Sequence, residues 1–247
     1  MTLPTRSSII AVLVMGGARM VRSHGGGDLI TAIYDAIIEP SGWDNVVKRI
    51  VEATKSVSGG ILAHQVDAFT HQVEAARLTA ICNADPSYID AYVQHYHKIN
   101  LLIPASLAIA PGEVRTNTHI TQTDSFRASA IFQEWIRPQG WADVVGIGLR
   151  RAPKEHEQLR LLRSPDATWV EPPEWHLLET LAPHLQRAAT IQDLLSRTRA
   201  ATESLGAAIA AAGFAAFLLT GDCRVLFANA KAEESGGSHP ARNRLAV

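Results

Sequence analysis

The longest helical signature in the sequence runs from about Pro172 to about Ala211, and it limits how the rest of the chain can be arranged. Leu177, Leu181, His184, Ala188, Ile191, Leu195, Thr198, Thr202, Leu205 and Ile209 alternate intervals of four and three residues. That spacing aligns side chains on one face of an α-helix. The stripe is apolar as far as Leu195 and weakens where Thr198 and Thr202 occupy it. Pro183 falls inside it and predicts a kink or a break into two helices, because proline removes one helical hydrogen bond. Two arrangements fit. The helix lies across a sheet of its own domain, or it closes that domain and runs on as a two-stranded coiled coil. Its two halves can divide those roles.

Upstream, folding is predicted to start at Asp28. Leu29, Ala32, Ile33, Ala36 and Ile37 recur at helical spacing until Pro40. Trp43, Val46, Val47, Ile50 and Val51 repeat the pattern, with Gly59-Gly60 read as its stop. "GILAHQV" and "QVEAARLTA" then read as strands joined by "DAFTH", and "WADVVGIGLR" pairs with "EQLRLLRS" in a second hairpin. Strands beside helices, without a strand-helix-strand rhythm, predict an α+β fold: an antiparallel sheet flanked by helices.

Between the hairpins lie the aromatic residues. Asp85 and Pro86 start a helix, as an N-cap and a first-turn proline. Tyr88, Tyr92 and Tyr96 follow at four-residue spacing on one face of it. A further helix is predicted from Asp124 through Trp135, stopped by Pro138 and Gly140, after which Trp141 enters the next strand. Tyr88, Tyr92, Tyr96, Trp135 and Trp141, with Trp43 as an outer member, form a candidate ligand wall, since each ring offers apolar area with a polar tip. Packing of the same rings as plain core is the other reading. Asp143, the one acid beside this corner, reads as solvated at a strand start.

Nothing marks a catalyst. The sequence has no Walker or Rossmann glycine loop, no G-x-S-x-G and no H-E-x-x-H. Gly25-Gly26-Gly27 follows no strand, and Glu233-Glu234 reads as a solvated helix face. Cys82 with His95 or His97 lacks an orienting third group, and His95 and His97 face different sides of their helix, so neither catalytic nor metal-binding residues are assigned. The sequence does not identify a cofactor. A net charge of −1 gives no general reason to bind nucleic acid or an anionic membrane. Two distant cysteines, Cys82 and Cys223, fit a reduced, cytoplasmic protein, and no apolar run approaches a membrane span of about 18 residues. "RSSIIAVLVMGGARM" mimics a weak signal peptide. The lack of secreted-protein features, with Met20 as a better start, predicts an unstructured or misassigned extension instead.

Past the long helix, "AGFAAFLLTGDCRVLFANAKAE" places two apolar strands around Gly221-Asp222, a hairpin signal. Only 35 residues follow from Gly213, too few for an independent core. The series "LITAIYDAIIEPSGWDNVVKRI", "NADPSYIDAYVQHYHKIN", "FQEWIRPQGWADVVGIGL", "LETLAPHLQRAATI" and "FLLTGDCRVLFANAKAE" resembles, in this order, the large LuxR-type bacterial transcriptional regulators. The resemblance covers about Asp28 to Glu234, and its most specific parts are W-x-x-P-Q-G and L-A-P-H-L. It implies a GAF/PAS-like sensory region that precedes a C-terminal helix-turn-helix. The closing "SGGSHPARNRLAV" contains no such motif, so DNA is expected as a partner only through a missing C-terminal domain.

The expected organisation is an extension over 1–27, a GAF/PAS-like sensory domain over 28–195, a connecting helix over 196–212 and a truncated PAS-like segment over 213–247. The expected function is the sensory portion of such a regulator, binding a small ligand between sheet and helices and signalling through a homodimeric coiled coil. The alternative is a ligand-free dimerisation module that pairs with full-length regulators.

Overall fold

A computed structural model of the chain describes residues 26–235, except 68, 71, 168 and 212. The signal-like run, Met20 and most of the closing polar tail lie outside the described residues. Helix α1 spans Gly26–Ile38, two residues ahead of the expected start, and α2 spans Trp43–Ala53. The predicted stripe of α2 is its buried face: Trp43, Val46, Val47, Ile50 and Val51 all lie in the core. Each such side chain contributes about 1.5–3 kcal/mol.

Gly59 and Gly60 do not stop α2. They sit inside strand β1 (Ser58–Val66), while the helix ends at Ala53 and Lys55 turns the chain with φ 50°. Their glycine identity answers to packing: a Cβ on Gly59 would come within 2.6 Å of Val51 Cγ2, and one on Gly60 within 3.0 Å of the Ala80 carbonyl oxygen. Strand β2 (Val73–Cys82) pairs back on β1 as expected, with a bulge between Ile61 and Leu62.

Asp85 caps α3 (Pro86–Gln94) by accepting from the Ser87 backbone N–H at 2.8 Å. The helix stops at Gln94, so Tyr96 falls in a separate 3₁₀ turn and the tyrosine stripe is not one helical face. Short elements follow: α4 (Ile103–Ala108), β3 (Val114–Thr116), α5 (Thr118–Thr121) and α6 (Asp124–Arg127). The single helix expected from Asp124 is broken after Arg127, and the chain resumes as a π-helical turn over Ile131–Ile136. Ser129 explains the break locally, since its hydroxyl bonds the Phe126 carbonyl at 2.5 Å in place of the regular ladder. Gly140, at φ 71°, ends the segment in the left-handed region that glycine tolerates.

Strands β4 (Asp143–Ala152) and β5 (Glu155–Arg163) form the second hairpin, and the sheet order is β2-β1-β5-β4-β3, antiparallel throughout. One face carries α1, α2 and the first half of α7 (Pro172–Ala211). The other carries α3 and the short elements up to Trp141. The fold is therefore α+β, three layers deep, with a core on each side of the sheet.

Helix α7 runs unbroken for 40 residues, about 60 Å at 1.5 Å per residue. It continues through Pro183 because Leu181, Ala182 and Leu185 around it are fully buried against the sheet, which offsets the missing hydrogen bond. The innermost row is Leu178, Leu181, Ala182, Leu185, Ala188 and Ala189. The buried face is thus turned slightly from the expected stripe, leaving Leu177 half-buried and Ile191 exposed. Beyond Asp193 the helix leaves the sheet, with Leu194 64% and Leu205 62% exposed. The predicted hairpin follows as β6 (Phe217–Leu219) and β7 (Val225–Ala228), then α8 (Ala230–Ser235). No helix among the described residues is long and apolar enough to cross a membrane.

Candidate functional site

Alternation along the strands divides the sheet's side chains. On β5, Leu159 and Leu161 face the α1–α2–α7 core, while Arg160 and Leu162 face α3. On β4, Val145 and Ile147 take the first side, and Val144 takes the second. The second face is not filled. Between it and α3, the π-helical turn and Trp141 lies a cavity with a water-accessible volume of about 90 Å³. A cavity needs only about 10–15 Å³ on this measure to admit a water.

Three of the six predicted wall residues meet there. Tyr92, Trp135 and Trp141 all line the cavity, with Tyr92 and Trp135 ring centres 4.8 Å apart and Trp135 and Trp141 ring centres 5.2 Å apart, edge to face. Trp135 is fixed by its indole N–H, which donates to the Tyr88 carbonyl at 2.7 Å. Leu62, Leu78, Ile89, Leu102 and Phe126 supply aliphatic and aromatic surface around the rings. Tyr96 does not line the cavity. It stacks behind Trp135, and its hydroxyl donates to Glu134 at 3.1 Å. Tyr88 contributes its carbonyl and not its ring. Trp43 lies on the opposite face of the sheet, donating to Gln192 of α7 at 2.5 Å.

Trp43 instead borders a second, larger hollow of about 340 Å³ beside Arg77, Arg150, Glu155, Glu157 and Asp193. Volume favours that hollow, but its charges neutralise one another. Arg150 contacts Glu155 and lies 3.6 Å from Glu157 and 3.7 Å from Asp193. Such a network is satisfied without a ligand. The smaller cavity combines rigid aromatic walls with polar groups on its sheet floor, the composition of small-molecule sites.

Those polar groups were not legible from pattern alone. Asp143 is not solvated: it is 4% exposed and lines the cavity. Its carboxylate accepts from the Thr118 hydroxyl at 2.5 Å, the Thr121 hydroxyl at 2.9 Å and the Val144 N–H at 2.7 Å. His64, 2% exposed, accepts at Nε2 from the Tyr92 hydroxyl at 3.0 Å, and that hydroxyl in turn accepts from Asn100 at 3.1 Å. Burial, then the positive field of Arg160, holds the imidazole neutral and pulls its pKa down to about 3. His97 donates from Nδ1 to the Tyr92 carbonyl at 3.0 Å. Its Nε2 and Gln158 Oε1 are buried without a partner among the described residues.

Arg160 is the residue that sequence reasoning missed. It faces Gly60 on β1 and Gly146 on β4, and the missing side chain of Gly146 leaves room for its guanidinium over the sheet. A Cβ on Gly146 would sit 3.4 Å from that guanidinium. The available signal was an arginine amid leucines in a strand covered on both faces, but it needs the register to be read.

Among the described residues, no group of three or more His, Cys, Asp or Glu is placed to hold a metal ion. Cys82 is buried, and its thiol pKa is raised by that burial; Cys223 is exposed, and neither forms a disulfide.

No family model and no curated protein matches the sequence. Solved structures do. The VqsR LBD (ligand-binding) domain from Pseudomonas aeruginosa is similar with a TM-score of 0.53 at 12% identity, covering 67% of this chain and 94% of that one. The N-acylhomoserine-lactone-dependent LuxR-family transcription factor CepR2 from Burkholderia cenocepacia scores 0.47 at 15% identity, over 66% and 91%. The GAF domain from Acinetobacter phosphoenolpyruvate-protein phosphotransferase scores 0.41 at 15% identity, over 66% and 91%. At these identities the likeness is one of fold, and the VqsR domain carries it: the chain shares the fold of the VqsR LBD domain.

Proposed function

We propose that the chain is the sensory part of a LuxR-type regulator and binds a small organic molecule in the cavity walled by Tyr92, Trp135 and Trp141. The observation that carries this reading is the cavity itself. It is an unfilled, aromatic-walled space on the α3 face of the sheet, whereas the hollow on the other face is lined by charges already paired with one another. Site and output are adjacent on β5. Leu162 lines the cavity, and the next residue, Arg163, holds Glu174 in the first turn of α7 at 3.3 Å. A ligand that binds one arrangement of β5 better than another shifts the populations of both, and α7 carries the shift outward. The exposed Ile191, Leu194, Leu195 and Leu205 on α7 pair with a second copy. Transcriptional output, the function implied by the LuxR resemblance, requires a DNA-binding module beyond the described residues.

Leu62 points into the cavity from β1, so Leu62→Trp tests this reading. The larger ring is expected to enter open space, changing folding stability by less than about 1 kcal/mol, below the usual cost of overpacking a filled core. It is also expected to abolish binding of benzene, followed by saturation-transfer NMR. A loss of several kcal/mol, with no benzene binding by the wild type, would establish a filled core. That outcome leaves the dimerisation reading, which rests on the apolar residues exposed along α7.

A further inference from the structure

We infer that the molecule taken by this cavity is an organic anion, a carboxylate or an equivalent acidic group on a small apolar body, held by Arg160. This rests on the cavity being a ligand site and goes beyond it by naming the charge.

Two arginines of β5 make the contrast. Arg163 is 2% exposed and its donors are used: the guanidinium bonds the Thr54 carbonyl, the Ala167 carbonyl at 2.7 Å, the Trp169 carbonyl at 2.6 Å and Glu174 at 3.3 Å. Arg160 is 8% exposed, lines the cavity and has no hydrogen bond or ion pair among the described residues. A guanidinium carries five N–H donors and stays charged. A mostly buried guanidinium without an ion pair is unusual, since such groups are normally paired, and its nitrogens are open to the cavity and not sealed from it. Burial pulls even its pKa down to about 10, and the one titratable oxygen acting on it is the phenol of Tyr92. On β4 the glycine opposite it, Gly146, leaves the guanidinium its room, since a Cβ there would come within 3.4 Å of it.

The other cavity charge does not supply the partner. Asp143 pairs with Arg163 across the ladder, three residues along β4 from Gly146, which is about 10 Å. Its carboxylate already accepts three hydrogen bonds. The cavity therefore has one unsatisfied charge, positive, beside a wall of rings. A planar carboxylate fits the fork of a guanidinium with two parallel bonds, and the apolar remainder fits against Tyr92, Trp135 and Trp141.

The test uses shape-matched pairs: acetate, butyrate, benzoate and phenylacetate, each against its amide, titrated by NMR on the whole chain after ligand stripping. At least one acid is expected to bind about 10- to 100-fold more tightly than its amide, the worth of a charge-assisted hydrogen bond. Arg160→Met is expected to level the two, and Arg160→Lys to retain a weaker preference for the acid. In ligand-free protein, Arg160→Met is also expected to raise Tm by about 2–4 °C, since it removes an unpaired buried charge. Equal affinity of acids and amides overturns the anion while leaving the ligand site intact. Failure of every acid to bind overturns it as well, as does a lower Tm for Arg160→Met, which would make the guanidinium a structural group. Benzene binding, independent of Arg160, separates these failures from failure of the cavity itself.

Discussion

Replacing Arg163 by Met is expected to remove about 3–5 kcal/mol of folding stability, the usual effect of breaking a buried charge pair from one side. The guanidinium ties three parts of the chain together. It bonds the Thr54 carbonyl after α2, the Ala167 and Trp169 carbonyls of the connection, and Glu174 in the first turn of α7. Without it, three backbone acceptors lose a donor. Glu174 keeps the Glu171 backbone N–H at 3.3 Å and Lys55, 3.0 Å away and itself mostly exposed. Methionine matches the aliphatic stem but none of the donors. Urea denaturation monitored by circular dichroism measures the loss. A cost below about 1 kcal/mol, the level of a surface pair, would show that Arg163 does not join β5 to α7. The proposed route from cavity to long helix would lose its first link.

The second large effect is acid sensitivity through His64. Its pKa is about 3 in the folded chain, against 6.5 for the free side chain. The unfolded chain therefore takes up a proton at His64 that the folded chain refuses. The stability associated with the neutral imidazole is complete above pH 6.5 and is lost as pH falls from there towards 3. Linkage over that window gives about 2 kcal/mol lost between pH 8 and pH 5, and about 3 kcal/mol by pH 4. His64→Gln keeps a hydrogen-bonding partner for the Tyr92 hydroxyl and cannot charge. Its stability should decline less than that of the wild type by those amounts. Parallel pH profiles for the two proteins would mean that His64 reaches solvent and protonates freely.

What could be read without coordinates follows from how local each signal is. The stripe of α2, the Asp85 cap and the hairpin around Gly221-Asp222 depend on residues within a few positions of each other, and each stands as expected. So does the α+β class. The aromatic wall was half legible. Tyr92, Trp135 and Trp141 converge, but Tyr96 left the stripe because α3 ends at Gln94, and Trp43 went to the other side of the sheet. The polar floor was hidden for a different reason. Whether Arg160 and Asp143 face the cavity, and His64 the hydroxyl of Tyr92, is decided by strand register, and the bulge at Ile61/Leu62 shifts the pairing of β1 with β2 partway along. A one-residue slip exchanges the two faces of a strand, and periodicity does not reveal which face will be left unfilled. Gly59 and Gly60 illustrate the same point: as punctuation they read as a stop, and only the closeness of Val51 and Ala80 shows that they are packing residues.

The most direct measurement of the central claim is methyl NMR of the Ile- and Leu-labelled chain under xenon pressure, since xenon enters empty apolar cavities whatever their natural ligand. A ligand cavity on the α3 face gives saturable shifts at Leu62, Leu78, Ile81, Ile89, Leu102 and Leu162, which line it, and none at Ile33, Ile50, Leu161 and Leu178 in the opposite core. Equal, non-saturating shifts on both faces would show that the two cores are filled alike and that the chain has no site for a small molecule there.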